Sequence, residues 1–347
     1  MPADDDLLER SAERLFADHA TPALLAAAER GIFARPAWDA IEDAGLSRAL
    51  VPEEAGGFGL DPAAALDLLR IAGAHALPLP LAETMLAGWM LAAAGLRVPD
   101  GPLSVALDAD LALTPTAAGL RLTGTARRVP WGRDVAAVAA LLPDPLRIVL
   151  VPAGNWQVVH GRNIAREPRD DLAFDQILEP AAVARPNGFD PAAPRALGAV
   201  MRSLQMAGAL ARLVAMTTEY AGTRVQFGRA IGKFQAVQQN IAVLAAASAA
   251  AGAAAGAGAS AFAEGGRPLL IAAAKIRAGE AAGLGAGIAH QVHGAIGFTQ
   301  EHGLHFLTKR LWSWRDEFGS ETEWSLLLGR HLLAAGPERL WPELTAA

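Results

Sequence analysis

Apolar positions recur at helical spacing through Leu7–Phe33, where Leu7, Leu8, Leu15, Phe16, Leu24 and Leu25 can share one face. Trp38–Gly45 reads as a second, short helix closed by its glycine. The Gly56–Gly59 loop separates it from a helix near Pro62–Ala74, with Pro62 suited to a first turn. The phrase Leu77-Pro78-Leu79-Pro80-Leu81-Ala82-Glu83-Thr84 leads into another helix that runs to Gly95. Residues 1–101 are thus expected to form an α-helical N-terminal domain. From Pro102 the pattern shortens. Alternating or β-branched runs at Leu103–Leu107, Gly119–Thr125, Val135–Leu141, Arg147–Pro152 and Gln157–His160 are split by Gly, Pro and Asp, which predicts strands. Residues 102–185 therefore read as a central β-domain, followed by a proline-containing linker at Pro186–Pro194. Helical spacing then returns, and residues 195–347 read as a C-terminal domain of four helices. The lead helix carries Leu204, Ala207, Leu210, Ala211 and Val214 on one face, and the others start near Phe234, Pro268 and Ser320. The fold class is α+β with several subdomains.

Composition narrows the function. Of 347 residues, 52% are hydrophobic, enough for a sizeable core and against overall disorder. A net charge of −6 argues against a general nucleic-acid binder. The absence of cysteine excludes disulfides, thiolate metal sites and thiol nucleophiles, and no metal site is expected. The acidic start, Met1-Pro2-Ala3-Asp4-Asp5-Asp6, is the opposite of a basic signal-peptide start. Ala245–Ala261 comes closest to a membrane span, but its small residues insert poorly and read as tight helix packing. No membrane partner and a cytoplasmic location are expected.

The candidate chemistry centres on Tyr220–Gln239, YAGTRVQFGRAIGKFQAVQQ. Arg224, Arg229 and Lys233 set three cations beside a Phe227-Gly228-Arg229 corner and a new helix start, a favourable place for a phosphate. They suit an ordinary helix–turn–helix with solvated charges equally well. The wording of this stretch resembles the C-terminal domain of flavin-dependent acyl-CoA dehydrogenases, with their R-x-x-FG-[RK] pattern. Gln291-Val292-His293-Gly294-Ala295-Ile296-Gly297-Phe298-Thr299 is similar to that family's Q-x-x-GG-x-G-(F/Y)-T segment. Pro52-Glu53-Glu54-Ala55-Gly56-Gly57-Phe58-Gly59 resembles its P-E-x-x-GG-x-G loop. The three matches occur in family order and cover most of the chain.

The resemblance implies an all-α N-domain, a small central β-barrel and a C-terminal four-helix bundle, with FAD as cofactor and an acyl-CoA thioester as substrate. In the family the flavin lies between the β-domain of one subunit and the C-domain of its neighbour. A glutamate takes the α-proton and the flavin takes the β-hydrogen as hydride. By match to the motifs, Arg224 would pair with the pyrophosphate and Phe227 would pack on the cofactor. Gln291 and the backbone at Gly294 and Ala295 would contact the adenylate end. Ala295 departs from the usual glycine pair. Gln291 and His293 can also be read as helix-end polar residues.

Other family features are missing. The T-E-P-x-x-G-(S/T)-D loop corresponds to Val105–Asp110 and Leu113–Thr116, which lack its glutamate, glycine and final aspartate. In the next element Arg128 stands where an aromatic belongs, and Pro130 where a flavin-contacting hydroxyl belongs. Phe318 stands where the catalytic glutamate precedes a glycine, and the family's second base location falls at Gly198–Ala199, again without a carboxylate. Glu317, one residue upstream, is the candidate base, with Asp316 and Glu321 behind it. A one-residue shift turns a side chain by roughly 100° on a helix, and all three also suit an acidic helix start. In length and losses the chain resembles the shortened partner of bacterial heterotetrameric, steroid-type acyl-CoA dehydrogenases. A longer subunit in an α2β2 complex is the implied partner. A self-sufficient homo-oligomer using Glu317, or a helical scaffold without cofactor, are the alternatives.

Overall fold

The structure, a computed structural model, describes residues 3–345; the acidic start at Met1–Asp6 lies outside the residues whose side chains are described. The chain divides into two compact units, Met1–Gly198 and Ala199–Ala347. The first opens with helices α1 (Ala3–His19) and α2 (Pro22–Glu29). The apolar spacing over Leu7–Phe33 is broken at Thr21-Pro22. Thr21 Oγ1 accepts from the Leu24 N–H at 3.3 Å as an N-cap, and Pro22, having no N–H, opens a helix more readily than it continues one. Phe16 and Leu25 are buried, whereas Leu7 is 66% exposed and does not share their face. α3 (Arg35–Asp43) carries Trp38 and Ile41 into the core and ends before Gly45, at φ +74°. α4 (Pro62–Ala74) is capped by the Asp61 carboxylate, which accepts from the N–H groups of Ala63 and Ala64, both at 3.0 Å. α5 (Leu81–Ala93) is buried along almost its whole length.

The central β-domain consists of two four-stranded sheets around one core. In the first, β1 (Leu103–Ala106) runs parallel to β4 (Ala137–Pro143), followed by β5 (Leu146–Pro152) and β8 (Val183–Ala184). In the second, the order is β2 (Ala109–Thr116), β3 (Gly119–Pro130), β7 (Arg169–Leu178) and β6 (Trp156–Val159), all antiparallel. Val138, Val149 and Val151 of the first sheet meet Leu122, Leu172 and Phe174 of the second. β2 and β7 were not among the expected strands. β2 is largely exposed and carries Pro115, and β7 opens on Arg169-Asp170-Asp171, so neither has the composition of a core strand.

The second unit is helical: it takes α6 (Ala193–Thr223) from Ala199 onward, then α7 (Gln235–Ala263), α8 (Pro268–His293), α9 (Leu304–Asp316), α10 (Glu321–Ala335) and α11 (Pro337–Thr345). α9 was not expected, because His305, Lys309, Arg310 and Arg315 dilute its apolar face. Gly285 explains how closely α6, α7 and α8 approach. A Cβ there would stand 2.7 Å from Leu210 Cδ2 and 3.0 Å from Leu244 Cδ1. By length and composition α7 could cross a membrane. Here its small residues line up along α8, with Gly258 against Ala274.

Candidate functional site

The corner after α6 is a miniature hairpin. β9 (Val225–Gln226) pairs with β10 (Arg229–Ala230), and Phe227 and Gly228 form the turn at φ +52° and +77°. Positive φ at both central residues is the turn that matches strand twist. Glycine takes it without strain; phenylalanine does not. The turn holds Phe227 outward, 92% exposed. Arg224 is fixed through its backbone: its N–H donates to Tyr220 O and its carbonyl accepts from Ile231 N, both at 2.8 Å. Its exposed guanidinium has no hydrogen-bond or ion-pair partner among the described residues, and neither has the Lys233 ammonium. Arg229 only overlies the Phe234 ring, at 4.2 Å.

The second motif forms a short 3-10 turn, Gly294–Phe298, directly after α8. Gly294 sits at φ +62°, ψ −142°, a conformation open to glycine alone, with no atom within 4 Å of where a Cβ would be. Gln291, Gly294 and Ala295 line one cavity of about 590 Å³ with His290, Phe298 and Trp312. Tyr220 stacks on His293 at 4.5 Å and 20°, tying the end of α6 to the end of α8. The structure thus gathers the five motif residues at one end of the bundle, Arg224 and Phe227 on the hairpin and Gln291, Gly294 and Ala295 on the cavity.

Glu317 lies at the other end, in a knot of charges. Its carboxylate receives Arg202 Nε at 2.8 Å and Nη2 at 2.7 Å, and Arg202 also donates to Gln205 Oε1 at 2.6 Å. Arg202 is 2% exposed and Glu317 11%. The Arg202 guanidinium lies 6.0 Å from the Trp314 ring centre and 5.6 Å from that of Phe318. Lys275 donates to the Arg315 carbonyl, and Arg315 Nε pairs with Glu321 at 2.6 Å. Burial pushes the Lys275 ammonium down to about 8, with Glu321 and Glu317 opposing the shift. Asp316 is exposed. Sequence reading missed Arg202, although a lone arginine in the apolar run Leu197–Ala211 was a visible signal.

In the β-domain, only Leu107 and Asp108 separate β1 from β2. β2 then pairs with β3 along its whole length, Ala109 facing Ala126 and Thr116 facing Gly119. Arg128 sits in a β-bulge at φ +52°, its N–H donating to Asp171 Oδ1 at 2.8 Å. The Pro130 carbonyl accepts from Ser104 Oγ. Trp131 is 5% exposed and packs edge-on against Phe33 at 6.0 Å.

Comparison with known proteins shows what the chain is similar to. The N-terminal domain of acyl-CoA dehydrogenases matches residues 2–97, and their C-terminal domain matches residues 196–315. Acyl-CoA dehydrogenase IpdE2 of Mycobacterium tuberculosis (strain ATCC 25618 / H37Rv) is 30% identical over 324 residues, covering 89% of this chain and 91% of that protein. The chain belongs to the acyl-CoA dehydrogenase family. Members of this family are FAD-dependent oxidoreductases acting on the CH–CH bond of acyl-CoA. The structure of the ChsE4-ChsE5 complex from Mycobacterium tuberculosis matches with a TM-score of 0.86 at 25% identity, over 97% of this chain and 99% of that one. Butyryl-CoA dehydrogenase from Megasphaera elsdenii shares the fold with a TM-score of 0.83 at 18% identity, over 96% of this chain and 99% of that one. The order N-terminal helical domain, central β-sheets, C-terminal helical domain is that of the acyl-CoA dehydrogenase fold.

Proposed function

We propose that this chain is the base-deficient partner in a hetero-oligomeric acyl-CoA dehydrogenase, completing the far end of an FAD site held by a longer subunit. The observation that carries the reading is the hairpin. Among the described residues Arg224 and Lys233 have no anionic partner, and Phe227 is 92% exposed, so these groups are open to another molecule. The residues fit a pyrophosphate and adenylate brought by another chain. Arg224 would hold the pyrophosphate through charge-assisted hydrogen bonds, Phe227 would cover the cofactor, and Gln291 with the backbone at Gly294 and Ala295 would meet the adenylate end. The chain's own β-domain does not fit a flavin, because β1 passes into β2 through two residues and Trp131 is committed to the core. The flavin, when bound, supplies the electron sink for α,β-desaturation of an acyl-CoA thioester.

Glu317 supports the same reading. A general base must reach the substrate's α-carbon, whereas this carboxylate is held by Arg202. We assign it a structural role. The self-sufficient enzyme with Glu317 as base remains the alternative that the same residues define, and a cofactor-free helical scaffold is the third reading. The matching structure named for two chains, ChsE4-ChsE5, supports a hetero-oligomer. We place the complex in the cytoplasm, where acyl-CoA thioesters are made and used.

The test is flavin stoichiometry. Co-expressed with a longer acyl-CoA dehydrogenase that carries a T-E-P-type loop, the chain should give a complex holding one FAD per pair of chains. Two per pair would restore a flavin site to this β-domain and contradict the proposal. A chain that binds neither flavin nor partner would favour the scaffold.

A further inference from the structure

Half of the chain's eight histidines, His290, His293, His302 and His305, fall within one short stretch around the Gly294–Phe298 turn. Their hydrogen bonds dictate their protonation. His293 is 3% exposed, and its Nδ1 lies 2.8 Å from Ala289 O, which can only accept. The neutral ring therefore carries its proton on Nδ1, and its buried Nε2 is bare and has no hydrogen-bond partner among the described residues. The same ring stacks on Tyr220 and meets His302 edge-on at 4.8 Å. His302 Nδ1 accepts from the Leu304 N–H at 3.3 Å, which places its proton on Nε2. His290 Nε2 lies 3.0 Å from Thr308 Oγ1, its buried Nδ1 has no hydrogen-bond partner among the described residues, and its ring stacks on Phe298 at 4.4 Å.

A second proton on His290 or His293 would bury an unpaired N–H, and one on His302 would remove the acceptor of Leu304. The groups facing these rings offer no compensation. They are Tyr220 from α6, Phe298 from the turn, and His305 and Thr308 from α9, with His305 acting on His290 and His302 with the same sign. Among the described residues no carboxylate pairs with His290, His293 or His302. The exposed Glu301 carboxylate turns to Thr299.

We propose that His290, His293 and His302 are positioning residues for the cofactor-contacting turn, holding it closed only while all three are neutral, so that acid loosens the turn and releases flavin from the assembled complex. This rests on the cross-subunit flavin site proposed above. Burial, and then the neighbouring histidines, lower all three below their ordinary value of 6.5. A loosened turn, with its rings in water, therefore binds protons more readily than the closed one. The closed turn keeps its full stability above about pH 6.5 and loses it as pH falls through that value.

Two readouts test this. The first is hydrogen exchange of the full chain, expressed as protection factors, which remove the intrinsic pH dependence of exchange. Between about pH 8 and pH 5.5 the segment 289–303 should lose about tenfold in protection, while the middle of α8 stays unchanged. His293→Phe keeps the ring stack, and His302→Asn keeps an acceptor for Leu304; neither titrates, and each should flatten the profile relative to its own value at about pH 8. The second readout is flavin release from the complex over the same range, which should follow the same curve. Flat protection in the wild-type chain, or an unaltered profile in both variants, would overturn the proposal. So would an acid-labile turn with pH-independent flavin retention, in a complex where Arg224→Ala does release flavin. If flavin ignores Arg224→Ala as well, the cross-subunit site is what fails, and the histidine device stands on the exchange result.

Discussion

The two ends of the C-terminal bundle treat charge in opposite ways. At the end where α8 begins, Arg202, Glu317, Lys275, Arg315 and Glu321 are tied together by hydrogen bonds and ion pairs, and Arg202 and Lys275 are buried. At the end where α8 stops, Arg224 and Lys233 have no partner among the described residues, and Phe227 stands in the open. Lys275 and His290 are separated by about 22 Å of helix, at 1.5 Å per residue. Groups that are fully paired inside one fold have nothing left to offer a substrate or a neighbour. Groups held by a strained turn and left unpaired cost the fold and return nothing to it, unless another molecule completes them. The first end reads as scaffold and the second as half of a site.

The same substitution at both ends gives the widest contrast. Arg202→Ala takes from the Glu317 carboxylate, 11% exposed, the guanidinium that pairs with it, and should destabilise the isolated chain by about 3–5 kcal/mol in denaturant unfolding. Arg224→Ala should leave that stability within about 0.5 kcal/mol of wild type. Equal effects would dissolve the distinction between the ends.

Lys275 sharpens the paired end through pH. Its folded value is lowered to about 8 from 10.5, so between those values the unfolded chain still holds a proton that the folded chain has lost. Stability from this group therefore rises as pH climbs from about 8 to 10.5, by about 3 kcal/mol at most. Lys275→Met should remove that rise from the pH–stability curve. A variant curve parallel to wild type would show the ammonium to be less buried than the knot implies.

The unpaired end is probed in the complex. Arg224→Ala should weaken flavin retention by about tenfold or more, from the loss of charge-assisted bonds worth about 1.5–3 kcal/mol each. Unchanged occupancy after dialysis would deny the hairpin its role. Phe227→Ala should have a smaller effect on retention, about 0.5–1.5 kcal/mol for an aromatic contact, and almost none on folding, since the ring is 92% exposed.

The sequence made the open end easy to read and the closed end hard. Arg224, Phe227 and Gln291 sit in contiguous phrases, because a short turn and a helix end can hold a motif within a few residues. The α-to-β texture switch near Pro102 was equally local: β1 begins at Leu103. Arg202 and Glu317 are 115 positions apart, and no local pattern announces that they meet. α9 was obscured by the charges that make it useful, with Thr308 supporting His290 and the Arg315 carbonyl accepting from Lys275. β2 was hidden for another reason. An exposed edge strand needs only backbone pairing with β3, so its side chains carry little signal. The histidine pairs at 290/293 and 302/305, each spaced one helical turn, were visible, but their stacking across the Gly294–Phe298 turn was not.

The central claim is that this chain lacks its own electron sink and its own base. It is tested most directly by purifying the chain alone, reconstituting it with FAD, and assaying acyl-CoA dehydrogenation with an artificial electron acceptor. The substrates should span short, long and steroid-type thioesters. The account predicts no turnover until a longer, flavin-bearing subunit is added. Robust turnover by the chain alone, abolished by Glu317→Gln in a variant that still folds, would contradict it and establish Glu317 as the base.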